Sequence, residues 1–364
     1  MRLGNVGPIS SKPSPPGECG TRPGIESSGV SQGAAPRLPD RVEWLTILLA
    51  LGIYLSFGLI TWFHASLPWW AILGLGAYVV ALQSSLQHEV AHGHPTPWPG
   101  VNRMLVFPVL WLWLPFETYR DSHLAHHRDA DLTDPNRDSE SWYVAPEEWQ
   151  RFGRVRQALA FALNSALGRM LLGPPRCLYR AWRAGLASLA AGDHSAWRIW
   201  SLHALAVTSV LIWTSLVCGM PVWQYLVLIV YPACAMMQLR SFLEHRADPE
   251  VGRRSVIVEA AWPLALLYLN NNLHALHHAQ PGLAWYRLPG VYALRKESLL
   301  KANGGYFYSG YADILWRFLV WPKEHPLHPG MPAASDLAPS PSLPARTAST
   351  PAAPAQASAL ARKP

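Results

Sequence analysis

Charged residues vanish from two long stretches of this chain. No Asp, Glu, Lys or Arg occurs from Trp44 to Gln87, 44 residues, or from Ile199 to Leu239, 41 residues. A hydrocarbon core takes roughly 20 apolar residues per helix, so each stretch has the length of two spans and a tight turn. The first divides at Leu67-Pro68 and the second at Gly219-Met220-Pro221. The pattern predicts spans at about 44–63, 69–87, 200–218 and 223–239. Neither turn is charged, whereas the intervening segment 88–198 carries 12 Arg. Basic residues stay on the cytoplasmic side. Two hairpins with charge-free tips therefore place both termini, segment 88–198 and everything after residue 240 in the cytoplasm.

Two other apolar segments are too short to span. Met104–Phe116 has 13 residues with Pro108 and Pro115, and Val256–Leu269 has 14 with Glu259 and Pro263. Runs of this length are interfacial, re-entrant or buried in protein. Gln157–Leu172 has the pattern of an amphipathic helix lying on a membrane. Residues 1–40 and 331–364 each hold seven prolines and no aromatic residue. Such segments bury too little apolar surface to offset their ordering entropy, so they are expected as disordered tails around a membrane domain at 41–330. No apolar run follows Arg2, and no signal peptide is visible. The expected fold is an all-α membrane protein: four transmembrane helices as two hairpins, interfacial helices and a cytoplasmic helical cap.

Composition sharpens this picture. Only 15% of residues are charged, against about 25% in soluble chains, which argues against a soluble cytosolic domain and a secreted scaffold. The net charge of +7 fits topology and contact with anionic membrane lipid rather than nucleic acid. Cys19, Cys177, Cys218 and Cys234 form no CxxC, so neither a disulfide framework nor a thiolate metal site is indicated. Trp collects at membrane–water boundaries. Trp62, Trp69, Trp70 and Trp200 stand where such boundaries fall.

The candidate chemistry lies in histidine. His88-Glu89-Val90-Ala91-His92 spaces two imidazoles four apart, and HxxHH occurs at His123-Leu124-Ala125-His126-His127 and again at His274-Ala275-Leu276-His277-His278. Two chance HxxHH motifs have odds well under about 1 in 1,000 in such a chain. On a helix, positions i, i+3 and i+4 share a face, so each box is expected to aim its imidazoles together. Eight imidazoles exceed the four ligands of one tetrahedral zinc and suit two metals of higher coordination number. All three boxes reach the same cytoplasmic boundary, as does His245, six residues past the expected end of the fourth span. His245 is a candidate ligand. His94, two residues after His92 on another helical face, is given a supporting role, while His64, His194 and His203 read as interfacial residues.

Acidic and amide side chains near the boxes are candidates to fix imidazole tautomers. Glu89, Asp121, Asp129, Asp131 and Asp134 lie beside ligands in sequence. Asn270, Asn271 and Asn272 precede the third box and could hold a metal-bound water or cap its helix. A zinc-protease reading rests on HExxH at His88–His92, with Glu89 as base. It leaves six boxed histidines unexplained, and the later spans offer no acidic third ligand. A non-enzymatic metal carrier would favour histidine-rich tails, yet both tails lack histidine.

Four spans with HEVAH at 88–92, HLAHH at 123–127 and HALHH at 274–278 resemble the membrane-bound fatty acid desaturase superfamily, over about residues 40–325. That superfamily also holds lipid hydroxylases, carotenoid ketolases and alkane monooxygenases. The resemblance implies a non-haem diiron centre using O₂ and two electrons, with ligands His88, His92, His123, His126, His127, His274, His277 and His278. Several members take one more histidine before the third box, for which His245 stands here. Glu89, His94, Asp121 and Asn271 would then support the ligands. The contexts HEVAHGHPTP (88–97) and LNNNLHALHHAQPGLAWYRLP (269–289) look most like a bacterial subgroup, implying an inner-membrane location. One branch of it resembles a desaturase for an amino-acid-derived metabolite. The implied substrate is a fatty acyl or other lipophilic chain from the bilayer. No flavin fingerprint or iron–sulfur motif occurs, and His328-Pro329-Gly330 is too isolated to mark a haem site. A separate ferredoxin-like or similar donor with its reductase is implied.

Overall fold

The computed structural model describes residues 38–128 and 131–330. The expected tails lie outside the described residues, apart from Leu38, Pro39 and Asp40, and so does Asp129.

Helix α1 runs over Trp44–Trp62 and α2 over Trp69–Ala91. Short helices α3 (Pro99–Leu105) and α4 (Phe116–His126) lead to α5 (Pro146–Arg151), α6 (Arg154–Leu163) and the long α7 (Ala166–Ala190). Then follow α8 (His194–Val217) and α9 (Val222–Glu244). The remainder is β1 (Ile257–Val258), α10 (Trp262–Leu267), α11 (His274–Ala279), α12 (Leu288–Ala302), β2 (Phe307–Tyr308) and α13 (Tyr311–Phe318). The fold is mostly helical. Among the described residues, two two-residue strands, paired in parallel with Ile257 opposite Phe307, are the exception.

Among the described residues, four helices, α1, α2, α8 and α9, are long and apolar enough to cross a membrane. Their ends differ from the charge-free limits in an instructive way. Helix α2 continues past Gln87 through His88 and Glu89, because these polar residues are buried in protein. Helix α9 continues past Leu239 because Arg240 and Glu244, one turn apart, pair at 2.8 Å with both side chains buried. Helix α8 begins earlier than residue 200, where the Asp193 side chain accepts the N–H groups of Ser195 (2.8 Å) and Ala196 (3.3 Å).

Helices α2 and α9 are central, while α1 and α8 face outward. Wide π-turns at Ile72–Gly76 and Leu226–Val230 bring α2 against α9. A Cβ at Gly76 would lie 2.7 Å from Cγ1 of Ile229, so only glycine allows this approach. Trp62, Trp69 and Trp70 stand exposed on the outer surface.

Both short apolar segments pack mostly into protein, one of the outcomes their lengths allowed, although Met104 in the first and Trp262 in the second stand exposed. In the first, the Pro108 carbonyl accepts from Gln83 Nε2 (3.0 Å) on α2, and the Leu110 carbonyl accepts from the Tyr225 hydroxyl on α9. In the second, the Leu267 carbonyl accepts from Ser85 Oγ (2.6 Å), and the Tyr268 hydroxyl donates to the Met236 carbonyl (2.9 Å). The polar inner face of α2 thus satisfies backbone groups of both segments.

The expected helix at Gln157–Leu172 is two helices. Asn164 and Ser165 interrupt it: Ser165 Oγ accepts the Gly168 N–H (3.1 Å) and starts α7, while Asn164 Nδ2 donates to the Glu324 carbonyl (2.8 Å). A side-chain cap outcompetes the continuing apolar period.

Candidate metal centre

Helix ends carry the three boxes inward. His88 lies in the last turn of α2 and His92 at its C-terminal cap. His123, His126 and His127 end α4, and His274, His277 and His278 make up half of the six-residue α11. His245 follows the last residue of α9 in extended conformation. Just before α11, Leu269 and Asn270 adopt positive φ angles of 47° and 59°. Asn tolerates this region and Leu does not. The turn is held by the Asn270 N–H donating to the Ala265 carbonyl (2.8 Å) and by Asn270 Nδ2 donating to the Trp285 carbonyl (3.0 Å).

All nine predicted histidines converge, in two sets. His88, His92, His123, His127 and His277 form one; His126, His245, His274 and His278 form the other. Within each set the ligand atoms lie within 4.8 Å of one another. The two HxxHH boxes are therefore not aimed as units, which corrects the expectation of a shared direction for them, whereas His88 and His92 do share one set. Positions i and i+4 go to one set and the residue between them to the other: His123 and His127 against His126, and His274 and His278 against His277. At about 100° per residue, i+4 lies about 40° from i on one side and i+3 about 60° on the other. A box placed between two centres reaches both.

The donor set fits metal ions. His123 Nε2 is 3.0 Å from His92 Nε2 and 3.1 Å from His127 Nε2, which is 3.1 Å from His277 Nε2. In the other set His245 Nε2 lies 2.9 Å from His126 Nε2 and 3.0 Å from His274 Nε2. Each neutral ring has one N–H, so hydrogen bonds cannot satisfy such a convergence. Two nitrogens bound at about 2.1 Å and a right angle to one ion sit about 3 Å apart, which matches. Burial, reinforced by neighbouring imidazoles, holds His92, His127, His274, His277 and His245 well below the usual histidine range. That favours the neutral form, the one that binds metal. His126 differs. Burial opposes its charge, but Glu140 and Asp138 raise it to about 9.

The supporting partners are mostly not the expected ones. Asp138 Oδ1 lies 2.8 Å from His126 Nδ1 and Glu140 Oε1 3.2 Å from His123 Nδ1. Glu244 Oε1 stands 3.6 Å from His274 Nδ1. Sequence reading missed all three. The signals were weak: Asp138 and Glu140 stand in a turn, where the Ser141 N–H donates to the Asp138 carbonyl (3.1 Å), and Glu244 directly precedes His245. Asp121 is a correction: its side chain is exposed and binds Arg120 (2.8 Å), two residues from His123 and on the opposite side of α4. Asp131 and Asp134 likewise engage Arg137 (3.4 Å) and the Asn136 N–H (2.8 Å).

Asn271 lies between the sets, with Oδ1 3.2 Å from His274 Nδ1 and Nδ2 3.3 Å from His88 Nε2. Glu89 approaches His88 Nδ1 at 3.8 Å while its other oxygen accepts the Trp285 N–H (3.1 Å). His94 belongs to neither set and pairs with Glu43 (2.9 Å) at the start of α1. His64, with Nδ1 against the Thr61 carbonyl (2.9 Å), and His194 and His203 also stand outside both.

A cavity of about 510 Å³ reaches this site. Glu140, Glu244 and His245 close its inner end, and Trp113, Cys234 and Met237 give apolar wall from the membrane-length helices and the segment packed on them.

A family model described as fatty acid desaturase matches residues 61–310, well over half of the chain. No curated protein matches it.

Proposed function

The chain belongs to the fatty acid desaturase family, and from that footing we propose that it introduces a double bond into a lipophilic chain, using O₂ and two iron ions. The coarser statement follows from the family and the four membrane-length helices: it is a membrane-bound oxidoreductase of the desaturase and hydroxylase superfamily. One observation carries the finer reading. Nine imidazoles stand in two adjoining sets, five and four, with their nitrogens turned toward one another.

His88, His92, His123, His127 and His277 would hold one ion, and His126, His245, His274 and His278 the other. Bound there, the iron pair supplies with O₂ an oxidant able to break an unactivated C–H bond, which no side chain can do. The chain's own residues do the rest. Asp138 accepts the Nδ1–H of His126 and Glu140 that of His123, so the Nε2 lone pairs face inward. Glu244 approaches His274 while bound to Arg240, which keeps its charge compensated. Asn271 touches one histidine of each set and fixes their spacing. Trp113 and Met237 keep water from the substrate methylene.

Electrons come from a separate donor, since the sequence carries no flavin or iron–sulfur motif. The Arg-rich segments flanking charge-free turns support a cytoplasmic metal site in a bacterial inner membrane. The test is expression with a suitable reductase, followed by mass spectrometry of lipids and small metabolites. Oxygen-dependent loss of two hydrogens from one product class supports the reading. Gain of one oxygen instead makes the chain a hydroxylase.

A further inference from the structure

Among the described residues, one cation lining the cavity that leads to the histidines makes no ion pair, and its nearest acid, Glu324, is held by Lys323. Arg169, in the first turn of α7, is only 2% exposed. Its Nε donates to the Leu163 carbonyl (2.8 Å), closing the end of α6, and its guanidinium carbon lies 3.6 Å from the Trp142 ring centre. Its Nη1 is buried and makes no hydrogen bond among the described residues. Two turns on, Arg176 sets its guanidinium 4.4 Å from the same Trp142 ring, and its Nη1 is likewise buried without a partner. Two like charges therefore share one aromatic ring. Burial, with Arg176 adding to it, brings Arg169 down to about 9.

Each acid that lines this cavity has a nearer partner than Arg169. Arg240 pairs with Glu244 (2.8 Å) and Lys323 with Glu324 (2.8 Å), while Asp138 and Glu140 serve imidazoles. A buried cation without an ion-pair partner is costly, and stacking on Trp returns part of that cost. An anion entering the cavity would return the rest, and a guanidinium fork is the shape that receives a carboxylate or a phosphate. Arg180 and Arg183 lie further along α7 and extend the positive wall to the cavity's exposed end.

We propose that the substrate carries an anionic head group, a carboxylate or a phosphate monoester, which Arg169 receives with Arg176 behind it while the apolar chain reaches toward the histidines. This rests on the oxidative reading of the site. It replaces a generic lipid substrate by a chain with a charged end held inside the cavity, in reach of the residues that line the metal centre.

The test measures binding to the full, iron-loaded protein in nanodiscs of zwitterionic lipid, without O₂ or reductant, so that nothing turns over. The probes are decanoate, decyl phosphate and decanol. One or both anions should bind at least about 10-fold more tightly than decanol, and the tighter of the two identifies the head group. In Arg169→Gln the preference should shrink to about 2-fold or less, with decanol affinity retained. Arg176→Gln leaves the contacts of Arg169 to Leu163 and Trp142 in place, and so serves even if the first variant does not fold. It should reduce the preference partially. Equal binding of anions and alcohol in the parent, or an undiminished preference in Arg169→Gln or in Arg176→Gln, overturns the proposal. Iron content and O₂-dependent oxidation are read on the same preparation. Protein that holds iron and oxidises substrate without a head-group preference refutes this inference alone, whereas protein that binds no iron refutes the reading of the site.

Discussion

Asp138→Asn isolates what a carboxylate contributes to a neighbouring histidine. Asp138 is 4% exposed, and its two oxygens serve three N–H groups: Oδ1 faces His126 Nδ1 (2.8 Å) and the Glu140 amide (2.9 Å), and Oδ2 the Thr133 amide (2.9 Å). An amide keeps the shape but only one acceptor. Its oxygen should stay at the Oδ1 position, where it serves two donors, which leaves the Thr133 N–H facing an NH₂ group. That loses one buried hydrogen bond, about 1–3 kcal/mol, too little to unfold membrane-length helices. The larger effect is on His126, whose Nδ1–H no longer meets a negative charge. Loss of such a partner weakens metal binding about 10- to 100-fold, or roughly 1.4–2.8 kcal/mol. The assay is iron retained per chain after dialysis against graded chelator. Asp138→Asn should release iron at about 10- to 100-fold lower chelator than the parent, and Asp121→Asn should match the parent, because Asp121 is exposed and bound to Arg120. If Asp138→Asn holds iron as well as Asp121→Asn does, the tautomer argument is wrong.

His245→Ala should lose iron and turnover as fully as His277→Ala, since each removes a nitrogen from one of the two sets, while the exposed His194→Ala stays near the parent in both assays. Gly76→Val should destabilise the detergent-solubilised protein by about 1–3 kcal/mol in thermal unfolding, and Ile229→Ala should recover part of that loss; no effect would mean that α2 and α9 do not meet there. Reporters fused after residue 330 or within 140–150 should read as cytoplasmic, and reporters at Leu67 or Met220 as external. Opposite readings at 150 and 330 would place the histidine sets on two sides of the membrane.

Much of this molecule was legible because two physical signals act locally. Hydrocarbon forbids unpaired charge, so the four membrane-length helices emerged from the absence of Asp, Glu, Lys and Arg. The same signal failed at the inner ends of α2 and α9, where Glu89, Arg240 and Glu244 continue the helices because protein compensates them. Helical spacing singled out eight histidines, the position past the fourth span added His245, and all nine converge. It could not reveal how they divide, since that depends on where the axes of α4 and α11 point relative to two centres. Supporting carboxylates were least legible. Asp121 sits two residues from a boxed histidine and turns away, whereas Asp138 lies twelve residues beyond His126 and touches it. Sequence proximity to a ligand says little when a loop brings its partner back.

The central claim is that the two histidine sets hold two iron ions. Metal analysis of the purified protein from iron-replete cells, with iron and zinc counted in the same run and turnover measured on the same sample, tests it most directly. The account predicts about two iron ions per chain, with iron and turnover lost together in His126→Ala and in His277→Ala. A single zinc at full occupancy with activity intact would contradict it.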